Sequence, residues 1–110
     1  MTGNEYQQLA SRTMNFDLTE YEQIYHGVFG LCSEAGEVAS IFQKQYQGHR
    51  LEEEHLVKEL GDVLWMVAEI CTANRMNLED VMQANIDKLI ERYPNGFNTE
   101  QSLHRKAGDI

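Results

Sequence analysis

The chain is short of almost everything that would break a helix or staple a fold. It has one proline, Pro94, and its eight glycines are scattered over 110 residues. Long helices are therefore allowed from about residue 4 to about residue 92. The alternation of apolar and polar residues that marks a half-buried strand is nowhere evident. Its two cysteines, Cys32 and Cys71, lie on apolar helical stripes with no CxxC or Cys/His spacing around them, which favours reduced core thiols over a disulfide or a zinc site.

No run of about 18 apolar residues is present, and the stretch from Met1 to Gln8 is polar. The expectation is a soluble cytoplasmic protein with no membrane partner. Basic residues are scarce, nine against 18 acids, for a net charge of −9. That balance excludes a general binder of nucleic acid polymer, which needs a basic face to displace phosphate counterions. It leaves room for a small phosphorylated substrate if a metal bridges the two sets of negative charge. One domain is the natural count, and 42 % hydrophobic content builds only a modest core that would gain from a second copy's surface.

Four helices are predicted. The first runs from about Asn4 to Met14. The second opens on Thr19 with Glu22 three residues on, a capping box, and ends near Gln47-Gly48-His49, where Gly48 suits a left-handed cap. Its apolar stripe is Ile24, Val28, Leu31, Ala35, Val38 and Phe42. The third begins near Leu51, with Glu52, Glu53 and Glu54 favouring its positive end, and its stripe is Leu56, Leu60, Val63, Leu64, Val67 and Cys71. The fourth is capped by Asn77 and stopped by Tyr93-Pro94-Asn95-Gly96. Residues 98–110 read as a polar tail that orders against a partner or ligand. The expected architecture is an all-α, four-helix bundle-like subunit over residues 1–97, oligomeric as a homodimer or homotetramer.

The acids carry the chemistry. Eighteen acids in 110 residues give about three pairs spaced i, i+3 by chance, and three are present: Asp17/Glu20, Glu34/Glu37 and Glu59/Asp62. The first sits at a helix start, where the macrodipole explains it. The other two are mid-helix, in the near-repeats Glu34-Ala35-Gly36-Glu37-Val38 and Glu59-Leu60-Gly61-Asp62-Val63. At about 100° per residue, Glu34 and Glu37 fall about 80° and 140° to one side of their stripe, and Glu59 and Asp62 about 100° and 160° to the same side of theirs. Helices packed through these stripes would aim all four carboxylates into one cleft. Gly36 and Gly61, each unfavourable in a helix interior, point to close backbone approach there. Four carboxylates without histidine suit Mg²⁺, or Mn²⁺, better than zinc. Two solvated acidic faces are the plain alternative.

The segments Gly30-Leu31-Cys32-Ser33-Glu34-Ala35-Gly36-Glu37-Val38 and Lys58-Glu59-Leu60-Gly61-Asp62-Val63-Leu64-Trp65 resemble the ExxE…ExxD signature of MazG-like nucleotide pyrophosphohydrolases. These belong to the all-α NTP pyrophosphatase superfamily. The resemblance spans roughly residues 20–97 and continues through Asn85 to Phe97. It implies hydrolysis of a nucleoside triphosphate to the monophosphate and pyrophosphate, in nucleotide-pool cleansing, by an obligate oligomer. Glu34, Glu37, Glu59 and Asp62 match the metal-binding positions, with Glu37, or else Glu34, accepting the proton of the attacking water.

Asn85 falls within the fourth helix's apolar stripe, where a buried amide needs a partner. Either it bonds across helices, or, as the family's Asn-x-x-Lys segment implies, Asn85 and Lys88 contact sugar and phosphates. Lys44 and Lys58 match lysines common beside the acidic motifs, and Arg105 could close over the substrate from the tail. Trp65 lies opposite its helix's main stripe, so it must meet a ligand or a subunit interface, and with Phe29, Phe16 and Tyr21 it could stack on a base. Two rivals stand beside this reading. One is a catalytically silent helical dimer that binds nucleotide or a protein partner. The other is a di-iron bundle, for which Glu52 and His55 supply one Glu-x-x-His unit where two are needed.

Overall fold

The structure, a computed structural model, describes all of residues 1–110, and its regular elements are all helices, with no strands. It has five helices: α1 (Gly3–Ser11), α2 (Glu20–Tyr46), α3 (Glu53–Ala73), α4 (Leu78–Arg92) and α5 (Thr99–Leu103). The helix starts follow the side chains that cap them. Thr2 accepts from the Glu5 amide. At α2 the full capping box forms: Thr19 Oγ1 accepts from the Glu22 amide at 3.2 Å, and Glu22 accepts from the Thr19 amide at 3.0 Å. Beyond Ser11 the first helix tightens into i→i+3 bonds through Met14, so it ends three residues before the expected limit.

The α2 C-terminus is a Schellman turn. His49 N–H reaches Lys44 O, Gly48 N–H reaches Gln45 O, and Gly48 takes φ +102°, which only glycine adopts at little cost. The end of α3 closes in the same way around Arg75 at φ +58°, a left-handed position held by a non-glycine residue. No helix is long and apolar enough to cross a membrane.

Helices α2 and α3 form an antiparallel hairpin, α1 packs on α3, and α4 packs chiefly on α1. The largest buried apolar group, Ala10, Ala68, Cys71 and Leu78, sits where α1, α3 and the start of α4 meet, with Tyr6, Trp65, Val67 and Val81 packed against it. The predicted four-helix bundle is therefore corrected on two counts: there are five helices, and they do not close into a bundle within one chain. The Cα radius of gyration is 17.0 Å, against about 13 Å for a compact domain of this length. Only seven hydrophobic residues are buried, while twenty large ones stay exposed.

The face that each hairpin helix turns inward is the main surprise. The two stripes predicted to pack are largely uncovered: Val28, Phe42, Leu60 and Leu64 are 41–55 % exposed. In α2 the inward face is instead Gln23, Gly27, Gly30, Glu34 and Ile41, turned by about 80° from the stripe. Glu34 thus lies at the centre of the α2–α3 contact and not on its flank. Cys32, expected in a core, is exposed on the uncovered face, while Cys71 is buried as expected.

The tail is corrected as well. Asn98 Oδ1 caps α5 through the Gln101 amide, and the segment folds back so that Arg92 donates twice to Asp109, at 2.8 and 2.7 Å. Both side chains are largely buried. A bidentate guanidinium–carboxylate pair is the strong form of this contact. The Arg92 guanidinium holds the Asp109 carboxyl below the usual carboxylate range. Docking of the tail is therefore present through neutral pH, and as the solution is acidified it is lost only at the lowered folded pKa. Asp109→Asn is expected to free the tail, seen as faster amide hydrogen exchange across residues 99–110 with α2 and α3 unchanged. Unchanged exchange in the tail would show that Arg92 does not anchor it.

Candidate metal centre between α2 and α3

Three carboxylates meet where the middle of α2 crosses the N-terminal half of α3. One oxygen each from Glu34, Glu59 and Asp62 lies within 4.8 Å of the other two. Glu34 arrives from α2, and Glu59 and Asp62 from successive turns of α3. Glu34 and Glu59 are half-buried, and Asp62 is open to solvent. Burial, first, then a hydrogen bond with Glu59 and the charges of Asp62, Glu59 and Glu37 push the Glu34 carboxyl above its ordinary pKa. Close carboxylates repel one another, and a proton on Glu34 lessens that repulsion. A hard cation does the same with a larger charge and prefers this all-oxygen donor set, so the residues fit Mg²⁺ or Mn²⁺.

Glu37, the fourth predicted ligand, is exposed and outside the three-carboxylate group, although its charge is felt at Glu34. His55 Nε2 lies 3.1 Å from Glu59 Oε1 and so borders the centre from the start of α3. Tyr6 on α1 was not singled out, because it reads as one of that helix's apolar residues. Burial and the charge of Asp62 raise its phenol pKa, which keeps an O–H donor beside the acidic group. The only signal for it is tertiary.

The glycines predicted to allow close approach are the wrong pair. A Cβ at Gly36 or Gly61 would meet nothing within 4 Å. At Gly27 it would come within 2.7 Å of Ile70 Cγ1, and at Gly30 within 2.7 Å of Met66 Cε, so these two let α2 and α3 approach.

The remaining candidates divide into two groups. Lys88 and Arg105 do meet: with Arg92, His104, Lys106 and Asp109 they line a cavity of about 460 Å³ between the end of α4 and the tail. Asn85, expected to be buried, is exposed, because the α4 stripe around it, including Met82 and Ile86, is itself uncovered. Lys58 forms an exposed i, i+4 pair with Glu54 at 3.2 Å, and Lys44 lies exposed in the last turn of α2. Neither belongs to the acidic group. Trp65 also has partners within the chain: its indole N–H is shared between Thr13 Oγ1, at 2.9 Å, and Ala10 O, at 3.2 Å. That contact ties α3 to the end of α1. Tyr25 and Phe29 stack with centroids 6.1 Å apart on the exposed side of α2.

All three clustered carboxylates, Glu37, Asn85 and Lys88 fall within residues 28–97, the stretch matched by the family model of the MazG nucleotide pyrophosphohydrolase domain. A relative in Mycobacterium phage L5, the "Gene 37 protein", is 34 % identical over 85 residues, covering 73 % of this chain and 75 % of its own. That name carries no activity. No solved structure matches. With most of the chain under the family model and the acidic motifs of both helices inside it, the chain belongs to the MazG nucleotide pyrophosphohydrolase domain family, hydrolases acting on nucleotides.

Proposed function

We propose that the protein is a Mg²⁺-dependent nucleoside triphosphate pyrophosphohydrolase, with Mn²⁺ as a substitute. It converts a (d)NTP and water to the (d)NMP and pyrophosphate, in the cytoplasm, as part of nucleotide-pool cleansing. The observation that carries this reading is the three-carboxylate group, built from two helices inside the family's own segment. Glu34, Glu59 and Asp62 hold the cation, with Glu37 one turn along α2 as the fourth ligand. When bound, the cation would supply charge neutralisation at the phosphates and a more acidic water.

The chain's own residues supply the rest. Glu37, outside the three-carboxylate group, keeps lone pairs to accept the water's proton. The water oxygen bonds to the α-phosphorus, the bond from that phosphorus to the bridging oxygen breaks, and pyrophosphate leaves with the bridging oxygen. Lys88 and Arg105 offer the positive charge that a charge-spread phosphoryl transition state needs. They lie at the far end of α4, whose contacts with α1 and α3 are made at its start, around Leu78. In this reading they reach the acidic group across an oligomer.

A homodimer or homotetramer is supported by the uncovered faces. Between Gln23 and Gln43 the outer side of α2, which includes Tyr25, Val28, Phe29, Cys32, Ala39 and Phe42, carries no charge. A contiguous apolar face of this kind marks an interaction site. A silent nucleotide-binding dimer would not need the acidic quartet intact. The di-iron alternative loses ground because the acidic group contains no histidine.

Incubation with a panel of ribo- and deoxynucleoside triphosphates and Mg²⁺ is expected to yield pyrophosphate from at least one. Release of orthophosphate alone, or tight binding without turnover across the whole panel, would overturn the proposal.

A further inference from the structure

Glu69 is the most deeply buried charged side chain in the molecule, 1 % exposed, and nothing in the proposed chemistry uses it. Both of its oxygens lie on His26 Nδ1, Oε1 at 2.7 Å and Oε2 at 3.0 Å, across the α2–α3 contact. The neighbouring residue, Gly27, makes room for it: a Cβ there would sit 3.1 Å from Glu69 Oε1 and 3.5 Å from the Ile70 backbone nitrogen. The imidazole stands edge-on to Trp65, 6.3 Å between centroids at 85°, and Trp65 donates to the Ala10 carbonyl of α1. One contact therefore joins three helices.

An apolar residue of the same size would commonly hold the helices as tightly or more so, because a buried carboxylate gives up its hydration. Stability alone therefore does not account for Glu69. Its position along the hairpin does. Gly27 packs on Glu69, Gly30 on Met66, and Glu34 meets Asp62. From the first pair to the third, α2 advances seven residues and α3 retreats seven, so all three are rungs of one antiparallel ladder on the same two faces. A slip of one turn would bring other residues opposite Glu69 and carry Glu34 away from Asp62 at the same time. The apolar and small residues of the ladder tolerate such a slip. A carboxylate that must find the imidazole does not, and buried polar groups fix the register of packed helices in this way.

We propose that the His26–Glu69 bond is a register pin: the two are positioning residues that hold α2 and α3 in the one alignment in which Glu34, Glu59 and Asp62 converge. This rests on the reading of that group as a divalent cation site, and the test separates the two.

The probe is Mn²⁺ titrated calorimetrically into the full chain, alongside thermal melting and hydrogen exchange of residues 28–38 and 56–66 without added metal. Glu69→Leu is expected to keep the wild-type melting temperature or exceed it, to weaken Mn²⁺ binding about tenfold, and to speed exchange in both segments. Glu69→Gln and His26→Gln, which preserve a hydrogen bond across the contact, should bind Mn²⁺ as the wild type does. If Glu69→Leu melts early, the double variant His26→Leu/Glu69→Leu, which leaves no imidazole seeking a partner, takes its place. Wild-type Mn²⁺ affinity in the apolar variant overturns the proposal, as does equal weakening in Glu69→Gln. Should the wild type bind no Mn²⁺, the cation-site reading fails. The register pin is then decided by exchange, faster in the apolar variant if it holds and unchanged if it does not.

Discussion

Asp62→Asn is expected to reduce pyrophosphate release by about 10³-fold or more, through the loss of several kcal/mol of charge stabilisation at the transition state, while the protein melts higher than the wild type in EDTA. The two effects share one cause. Asp62 lies with Glu34 and Glu59 in a group whose oxygens are within 4.8 Å of one another. Like charges at that spacing, one side chain open to water, repel by about 1 kcal/mol. Asparagine keeps the shape and removes the charge, so the melting temperature without metal should rise by roughly 4 °C. Mg²⁺ should raise the melting temperature of the wild type and leave that of the variant unmoved.

The pH dependence carries the same sign. The Glu34 carboxyl is raised by burial, by Glu59 and by Asp62, so the folded state binds this proton more tightly than the unfolded chain does. The corresponding stability is present below the ordinary carboxylate range and is lost as pH rises through the raised folded value. Without metal, the wild type should therefore lose stability over that window, and Asp62→Asn should lose less. Activity above a tenth of wild type in Asp62→Asn would remove Asp62 from the centre.

Val28→Glu is expected to convert the protein to a monomer, lower its melting temperature by more than about 10 °C, and abolish activity although it touches none of the acidic residues. On a genuinely exposed helix face such a change moves stability by no more than about 0.5 kcal/mol. Val28 is 41 % exposed in the single chain. It sits on the uncharged outer face of α2, however, in a molecule with more large apolar side chains outside than in. A specific interface covers about 800 Å² per partner, and an unpaired charge desolvated within one costs about 3–5 kcal/mol. Analytical ultracentrifugation and melting of both proteins decide the matter. A wild type that is already monomeric, or a variant that melts and sediments like it, would contradict an oligomer built on this face.

Local signals were legible wherever a helix speaks for itself. The Thr19–Glu22 capping box, the Gly48 cap and the stop after Arg92 each depend on a few adjacent residues, and each formed where the residues said it would. The acidic motifs were legible for the same reason: spacing along one helix fixes which carboxylates share a side, and three of the four converge. What one helix cannot announce is which of its compatible faces meets its own chain. Helix α2 has an apolar stripe around Val28 and a second face of small and polar residues around Gly27 and Glu34. The hairpin uses the second and leaves the first bare. The misplacements of Gly36, Cys32 and Asn85 descend from that choice or its counterpart in α4. The tail was misread because its anchor is a long-range pair, Arg92 with Asp109, which no window of neighbouring residues contains.

The most direct test follows the water oxygen. With the best nucleoside triphosphate from the panel, Mg²⁺ and ¹⁸O-labelled water, mass spectrometry of the products should find the label in the nucleoside monophosphate and none in pyrophosphate, since attack falls on the α-phosphorus. Label in pyrophosphate or in orthophosphate would place the attack elsewhere on the chain of phosphates and contradict the account.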